Sequence, residues 1–388
     1  MLRSLLLGIL VGVLGGLLPG IHINTLLPTI SNFPTAIIVS SIIYTFLDVV
    51  PSTFFGVPDV DTAVTVLPAH LLVLEGYGIE AISVSAFSSL VGFLLSLPIF
   101  LLFLTFLRSV DPYLTILTPF ILITISAFVV VGDGRGWVKA LIIFVLSGIL
   151  GFLFLNDILP LLAGLFSSPV LLASIMGERR IPKQVRSLRV PKLENVVSGI
   201  LGGTLVSLFP GISSGIATVV ATNGVKDDMG VISAMSSANT VNALLCYAVF
   251  LSIRRVRSGA VSFIRTLDPI LFLELAILSA LLGFLLTLAF GIVMGEIVHR
   301  IDQRNLSVLA LSILLATVIF TCGVHGLFVF SISSIVGAMA TYMDVRKINC
   351  MGCLILPLLY LRLPATSSAT FLPLISIPPN MGPILGSP

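Results

Sequence analysis

The chain has 388 residues, of which 57% are hydrophobic and only 10% are charged, with a formal net charge of +3. Soluble globular domains carry about 25% charged residues, so this composition excludes a soluble enzyme, a disordered chain and a nucleic-acid-binding domain. The four cysteines are too few and too scattered for a disulfide framework, and a single CxxC at 350–353 does not indicate a metal or redox site. The sequence therefore predicts an integral membrane protein.

Stretches without Asp, Glu, Lys or Arg mark the predicted membrane segments. They are 4–47, 81–107, 112–132, 140–156, 158–177, 195–225, 229–253, 275–295, 305–343 and 363–388, with 348–361 as a shorter candidate. Two of them are long enough for two passes, so we expect about 10–12 membrane segments at about 20 residues each. The segments are apolar on all sides and do not alternate as barrel strands do. Because lipid admits only helices or closed barrels, the predicted fold class is an all-α integral membrane bundle.

The first segment contains a Pro-Gly dipeptide that a later segment repeats. Residues 8–21 read GILVGVLGGLLPGI and residues 199–212 read GILGGTLVSLFPGI, with nine of fourteen positions identical at an offset of 191. Pro removes a backbone donor and Gly permits conformations closed to other residues, so each dipeptide predicts a broken or re-entrant helix. One interpretation is a pair of kinks packed against neighbouring helices. The other, which we favour for two breaks in register, is a transporter binding site.

Small polar residues follow both breaks. Such groups can hydrogen-bond an anion, helped by the amides of a helix that restarts after the break. We therefore expect the substrate to contact residues at both breaks, namely Pro19, Gly20, His22, Asn24, Thr25, Pro210, Gly211, Ser213 and Ser214.

A basic stretch divides the chain near its middle. Six Lys and Arg residues fall between positions 179 and 192, which is typical of a cytoplasmic loop under the positive-inside rule. We expect an N-terminal repeat half at 1–176, a basic linker at 177–192 and a C-terminal repeat half at 193–388. An inverted repeat is the expected relation between the halves, because it brings both breaks to one site at the midplane.

Further landmarks appear in order along the chain. They are the first Pro-Gly break, Asp48-Val49-Val50-Pro51, the segment 56–63, Leu74-Glu75-Gly76-Tyr77-Gly78, the second break and Ser237-Ala238-Asn239-Thr240-Val241-Asn242. This order resembles the TctA-like family, the large permease subunit of tripartite tricarboxylate transporters. The chain is short for that family and lacks the glycine of its asparagine-proline-glycine loop at 48–51. It therefore resembles the compact, binding-protein-independent archaeal members, and the resemblance implies that the stretch 48–51 is unwound.

The resemblance implies uptake of a di- or tricarboxylate across the cytoplasmic membrane, driven by a Na⁺ or proton gradient. It also implies a small second membrane subunit and an extracytoplasmic binding protein as partners, and it leaves a homodimer open. No cofactor is expected. The four histidines at 22, 70, 299 and 325 form no nucleophile–base set, and no Walker loop or HExxH motif is present, so an intramembrane enzyme is the least favoured hypothesis.

A second resemblance concerns the segment 210–215 alone. Its sequence PGISSG is similar to a proline-glycine-valine-serine-glycine-glycine signature of bacterial polyprenyl-phosphate translocases. The alternative function is therefore translocation of a lipid phosphate within the membrane.

Ionisable residues inside predicted membrane segments are functional candidates, because each costs about 2.5–3.5 kcal/mol on insertion scales. Asp48, Asp59 and Asp61, with the neighbouring Thr62, could bind Na⁺ or carry a proton; the alternative for Asp59 and Asp61 is an aqueous helix end. Arg257 suits a carboxylate or phosphate through bidentate hydrogen bonds, whereas Arg254 and Arg255 are interpreted as a topology signal. Asn239 and Asn242 share one face of a helix. Such amides can contact substrate or hold helices together, and the resemblance favours contact with substrate.

Overall fold

The structure is a computed structural model that describes residues 2–18, 23–56, 66–176, 181–209, 225, 227–264, 267–300 and 302–362. The described residues are almost entirely helical and include no β-strand, which confirms the predicted all-α class. The helices are α1 (Leu2–Leu17), α2 (Ile23–Leu26), α3 (Pro34–Leu47), α4 (Val49–Phe55), α5 (Val66–Glu75), α6 (Gly78–Val131), α7 (Trp137–Phe154), α8 (Ile158–Leu162), α9 (Ser168–Met176), α10 (Leu193–Leu208), α11 (Asp228–Ile253), α12 (Gly259–Ser262), α13 (Pro269–Val298), α14 (Gln303–Tyr342) and α15 (Gly352–Arg362).

Six helical stretches within the described residues are long and apolar enough to cross a membrane. They are Pro34–Phe55, Gly78–Leu114, Gly134–Phe154, Asp228–Ile253, Pro269–Val298 and Ser307–Tyr342. Shorter apolar helices accompany them at Leu2–Leu17, Ile116–Val131, Ile158–Ala173, Leu193–Leu208 and Lys347–Leu361. The chain is therefore a multi-pass membrane protein, as its composition predicts.

The helices α3, α4 and α11 form the centre of the bundle. The most apolar window of Pro34–Phe55 is entirely buried inside the protein, and 83% of that of Asp228–Ile253 is buried, against 22–39% for the other four long stretches. A helix that is apolar on all sides is stable either in lipid or in a protein core. The outer helices therefore meet lipid, whereas α3 and α11 meet other helices and are the place where buried polar groups can be held.

Two glycine-rich helices pack closely against this central pair. The contacts are Gly8 with Ala36, Gly12 with Ser40, Gly199 with Ala234, and Gly203 with Ala238. In each of them an added Cβ would run into the carbonyl oxygen of the facing residue, at 2.8 Å for Gly8, 2.9 Å for Gly12 and 2.6 Å for Gly203. Small residues let helix backbones approach in a membrane. The two matching sequence segments therefore make the same kind of contact, α1 with α3 and α10 with α11.

The stretch from Asp48 to Pro51, predicted to be unwound, is helical. Asp48 alone separates α3 from α4; its φ of −58° and ψ of −24° are helical, and its amide donates to the Tyr44 carbonyl at 3.0 Å. The helix α4 continues to Gly56, which ends it with a left-handed φ of 66°. Pro51 is the third residue of α4, in the first turn, where proline is tolerated because the amides have no partner within the helix. The prediction of an unwound segment here is wrong.

Gly323 turns α14 back on itself. Its φ of 62° and ψ of −155° are not helical. A Cβ on Gly326 would lie 3.2 Å from the carbonyl oxygen of Val318, eight residues earlier, although eight residues of straight helix rise about 12 Å. The arms on either side hold about 20 residues each, enough for about 30 Å. Each arm is therefore long enough for one pass.

The described part of the basic linker, 181–192, lies across two helix ends. Gln184 accepts a hydrogen bond from the Gly78 amide at 2.8 Å, and Ser83 accepts one from the Arg189 amide at 2.8 Å, both at the start of α6. Arg186 pairs with Glu296 near the end of α13 at 2.6 Å. The start of α6 and the end of α13 therefore lie on the same side of the bundle.

Candidate functional site

The buried centre of the bundle holds a carboxylate and an amide in contact. Asn239 Nδ2 donates a hydrogen bond to Asp48 Oδ2 at 2.9 Å, and the two residues are only 5% and 4% exposed. Asp48 lies at the junction of α3 and α4, and Asn239 lies near the middle of α11. A buried carboxylate is costly unless donors compensate it, and a hydrogen bond to a charged group contributes about 1.5–3 kcal/mol. A residue predicted for ion coupling thus touches one predicted for substrate.

A second polar pair joins the same two helices. The hydroxyls of Ser41 on α3 and Tyr247 on α11 lie 2.7 Å apart, and both residues are buried. Tyr247 also packs its ring on Phe272, with 4.6 Å between ring centroids. Sequence reasoning missed this pair. The available signal was a tyrosine within an uncharged span, since a buried tyrosine hydroxyl usually finds a partner.

The two pairs show how the central helices pass each other. Along α3, Ser41 precedes Asp48 by seven residues; along α11 their partners come in the opposite order, since Tyr247 follows Asn239 by eight. The helices are therefore antiparallel at this contact. Seven residues of helix rise about 10 Å, so the two polar pairs lie about that far apart along the interface.

Serine hydroxyls line the contact between α6 and α11. Ser85 pairs with Ser236 at 2.7 Å, and Ser88 donates to Ser233 at 2.8 Å. Ser89 donates to the carbonyl of Ser236 at 3.1 Å. Hydroxyls paired in this way hold membrane helices together, so this seam anchors α11 rather than forming part of the site.

The end of α1, before the Pro19-Gly20 dipeptide, lies beside the junction of α3 and α4. A Cβ on Gly16, in the last turn of α1, would lie 2.5 Å from the Leu47 Cβ and 3.4 Å from the Asp48 amide nitrogen. Leu18 follows, and its amide bonds to the Leu14 carbonyl at 3.0 Å as the last helical contact before Pro19. The last turn of α1 therefore packs against the backbone of Leu47 and Asp48, at the residue that carries the buried carboxylate.

The end of the helix before the second break is held by an arginine. Arg257 Nη2 donates to the carbonyl of Leu208, the last residue of α10, at 2.6 Å. The last carbonyls of a helix have no intrahelical partner, and a cation there also complements the helix dipole. Arg257 is therefore placed two residues from the Pro210-Gly211 dipeptide.

The neighbouring arginines make other contacts. Arg254 has a left-handed φ of 59° and its guanidinium lies 5.3 Å from the centre of the Phe250 ring. Arg255 pairs with Asp111 of α6 at 2.7 Å. Neither contact involves a predicted substrate residue, which fits their interpretation as residues outside the site.

Asn242, the other predicted asparagine, is half-buried on α11. Its Oδ1 accepts a weak hydrogen bond from Cys246 Sγ at 3.7 Å, one turn further along the helix. Asn239 and Asn242 share a helix but have different partners. Their joint contact with substrate stays a prediction.

Most of the predicted residues at the breaks lie outside the described residues. These are Pro19, Gly20, His22, Asp59, Asp61, Thr62, Pro210, Gly211, Ser213 and Ser214. Asn24 and Thr25 belong to α2, and their side chains are also outside the description. Within the part of the chain that the structure describes, no three His, Cys, Asp or Glu side chains gather into a group that could hold a metal ion.

Comparisons with known proteins point to one family. The family model described as "Tripartite tricarboxylate transporter TctA family" matches residues 2–352. An uncharacterised protein of the archaeon Methanocaldococcus jannaschii is 27% identical over 389 aligned positions, which cover 91% of this chain and 96% of the relative. No solved structure matches the chain.

Proposed function

Since the chain belongs to the tripartite tricarboxylate transporter TctA family, we propose that it carries a di- or tricarboxylate across the cytoplasmic membrane, coupled to a Na⁺ or proton gradient. Members of this family are multi-pass membrane permeases and not enzymes. The observation that carries the proposal is the buried Asp48–Asn239 pair, because it connects a candidate ion site with a candidate substrate site beside the first break.

An inverted relation between the two halves is part of this proposal. The sequence contains a further match at the same offset, since residues 92–95 and 283–286 both read GFLL and 283 − 92 is 191. These segments lie on α6 and α13. Gly295 contacts Ile79, Gly291 contacts Ile82, and the rings of Phe87 and Phe284 lie 5.0 Å apart. Residue numbers rise along α6 while those of the contacting residues fall along α13, so the two matching helices run antiparallel.

The central helices support the same relation. The glycine contacts align Ala36 of α3 with Ala234 of α11, and by this register Ser41 corresponds to Asn239. Each of these two residues bonds across the interface, Ser41 to Tyr247 and Asn239 to Asp48. The partners are one residue out of this register, since Asp48 corresponds to Cys246, next to Tyr247, so the two bonds support only an approximate two-fold axis in the membrane plane. Inverted repeats of this kind place a shared site near the bilayer midplane.

The physical need for coupling follows from the membrane potential. An anion entering a cell that is negative inside is opposed by about 2.3 kcal/mol per charge per 100 mV. A dicarboxylate therefore requires about two co-transported cations to cancel its charge and about three for accumulation. Asp48, together with Asp59 and Asp61, supplies carboxylates that can bind these cations in turn.

The family also suggests partners. Its proteins act in tripartite transporters, together with a small membrane subunit and a binding protein. We propose that the outer apolar helices of this chain contact the small subunit and that an extracytoplasmic binding protein delivers the anion. Co-purification of the chain with those two proteins, expressed together, is the test.

The function is tested by uptake into proteoliposomes of the purified chain, alone and together with the two partner proteins. We expect citrate or succinate to accumulate when a Na⁺ or proton gradient is imposed, and to stop when the gradient is collapsed. A polyprenyl phosphate offered in the membrane should neither bind nor cross. Tight binding of the lipid phosphate without carboxylate uptake would replace the proposal by the lipid translocase alternative. Binding of neither class would contradict both.

A further inference from the structure

A buried histidine that sequence reasoning left without a role lies beyond the end of α4. His70 is on α5 and is only 2% exposed. Its Nδ1 lies 3.1 Å from the carbonyl oxygen of Thr53, on α4. Its Nε2 is buried and has no hydrogen-bond partner, and the same is true of the Thr53 hydroxyl. Buried polar atoms are nearly always paired in proteins, so two unpaired ones at one contact call for a reason.

The contact determines the state of the ring. A carbonyl oxygen can only accept, so Nδ1 must carry the proton in the bond to Thr53. In the neutral imidazole Nε2 is then a lone-pair acceptor. His70 is therefore held in one tautomer, with its basic nitrogen unused.

The position of His70 relates it to the candidate site. Thr53 follows Asp48 by five residues along the helical stretch Pro34–Phe55, a rise of about 7–8 Å. Asp48, the first predicted ion-coupling residue, thus lies on the helical stretch Pro34–Phe55. His70 lies on α5, which contacts the end of that stretch. Gly56 ends α4 beside the ring: its Cβ position would lie 3.5 Å from His70 Cγ and 3.6 Å from Leu171 of α9.

The charged groups near α5 are few among the described residues. Of the helices that pack against α5, α4 carries no titratable side chain. Glu75 lies five residues further along α5, Glu80 is in the first turn of α6, and Asp227 and Asp228 begin α11. None of these carboxylates hydrogen-bonds to the imidazole, because Nδ1 is occupied by Thr53 and Nε2 is unpaired.

We propose that His70 binds the co-transported proton, through Nε2. This inference rests on the proposed function, and it names the proton as a coupling ion and adds a nitrogen base to the predicted carboxylates. The proton leaves bulk water, adds to the Nε2 lone pair and gives an imidazolium whose Nδ1–H bond to Thr53 is retained. No other bond forms or breaks.

Because His70 is buried, its binding of a proton depends on a bound anionic substrate. A neutral imidazole is stable in the core, but a lone imidazolium there is costly. An anionic substrate bound nearby compensates the charge, so the proton and the anion stabilise each other in the closed carrier. By linkage, the proton raises anion affinity by the same factor as the anion raises proton affinity.

The test compares wild type with His70→Asn, whose amide can still donate to the Thr53 carbonyl but cannot take up a proton. His299→Asn, at the C-terminal end of α13, is the matched control. In proteoliposomes we expect His70→Asn to lose citrate accumulation driven by a pH gradient while citrate counterflow stays within about twofold of wild type, since exchange needs no net proton movement. His299→Asn should keep both activities.

Affinity gives a second measure. For wild type, the citrate concentration for half-saturation should fall about tenfold between about pH 8 and pH 6, a usual size for coupling between two sites. For His70→Asn this pH dependence should disappear. Accumulation by His70→Asn at the wild-type level, or accumulation by wild type with a Na⁺ gradient alone, would overturn the inference and leave the proposed function standing.

A spectroscopic measure on the wild-type chain keeps the inference testable if the variant does not fold. With ¹⁵N-labelled histidine, we expect His70 to be neutral with the proton on Nδ1 at high pH and to become doubly protonated within the pH range of transport. Assignment follows by elimination from His22→Asn, His299→Asn and His325→Asn. A His70 signal that stays in one form throughout would overturn the inference. If wild type transports no carboxylate at all, the proposed function fails, and this titration still decides whether His70 binds a proton.

Discussion

Asn239 donates a hydrogen bond of 2.9 Å to Asp48 across the buried contact of α11 and α3. The two residues belong to different halves of the chain and were predicted to have different roles, one in substrate binding and one in ion coupling. Under the proposed function, a proton or a cation bound at Asp48 would weaken its hold on the Asn239 amide, and the contact would connect the two roles.

Asp48→Asn should uncouple transport with little effect on folding. Asn keeps the size and an acceptor oxygen but cannot bind a proton or compensate a cation. We expect gradient-driven uptake to fall about tenfold or more, while the free energy of unfolding changes by less than about 1 kcal/mol, because removal of a buried charge also removes its desolvation cost. Uptake into proteoliposomes and unfolding in detergent measure the two effects.

Asp268→Asn is the control for this change. Asp268 caps the N-terminus of α13 and accepts from two backbone amides, and Asn is an equally good cap. Gradient-driven citrate uptake by Asp268→Asn should match that of wild type. We expect Asp59→Asn and Asp61→Asn to lower driven uptake as well. If all three of the coupling variants transport normally, the coupling ion binds elsewhere or the protein is uncoupled.

The Ser41–Tyr247 pair should respond asymmetrically to mutation. Ser41 already donates to the Ile38 carbonyl at 3.0 Å, so Tyr247 is the donor in the shared bond. Ser41→Ala leaves a buried phenol without an acceptor and should cost about 1–3 kcal/mol of unfolding free energy, more than the about 0.5–1.5 kcal/mol expected for Tyr247→Phe. Tyr342→Phe, at a tyrosine that is 93% exposed, is the control. Equal costs for both variants would contradict the assigned donor.

Gly203→Ala should loosen the contact of α10 with α11. The added methyl group would meet the Ala238 carbonyl oxygen at 2.6 Å, and overpacking of this kind costs about 1–3 kcal/mol. Gly136→Ala is the matched control, because its φ of −86° suits alanine and the nearest atom lies 4.0 Å away. Thermal unfolding in detergent compares them. A control as unstable as Gly203→Ala would show that the close approach is not the cause.

Arg257→Ala should weaken substrate binding. The guanidinium holds the end of α10 at the second break, so its loss frees the Leu208 carbonyl and removes a positive charge from the predicted anion site. We expect the citrate concentration for half-maximal uptake to rise about tenfold, as for a lost charge-assisted hydrogen bond, with the dependence on the cation gradient retained. Arg186→Ala, which breaks an exposed pair worth about 0–1 kcal/mol, should leave it unchanged. If the citrate concentration for half-maximal uptake is unchanged in both variants, Arg257 is not part of the substrate site.

The helix ends before the two breaks should lie near each other. Spin labels on cysteines placed at Leu18 and Leu208, in a chain without its four native cysteines, should report a separation below about 25 Å, a few helix diameters. Double electron–electron resonance measures this distance. A clearly longer separation would rule out one site shared by both breaks.

Much of the fold followed from local features of the sequence. Uncharged stretches predicted the membrane helices, because a charge inside lipid is costly wherever it occurs in the chain. The repeated segments 8–21 and 199–212 were recognised as a pair from the sequence, but the close helix contacts of their glycines came only from the structure. The stretch 48–51 shows the limit of this reasoning: the family resemblance implied that it is unwound, yet it is helical, and Pro51 in the first turn of α4 costs no hydrogen bond.

The sequence by itself determined that this chain is an all-helical, multi-pass membrane protein with paired Pro-Gly dipeptides, because hydropathy and backbone permissiveness are properties of short segments. Only the tertiary structure decided which polar groups meet. Asp48 with Asn239, Ser41 with Tyr247 and Thr53 with His70 are contacts between helices, and no pattern within one helix specifies the face that its neighbour presents. Such pairs form because a buried polar group must find its partner wherever packing brings one within reach.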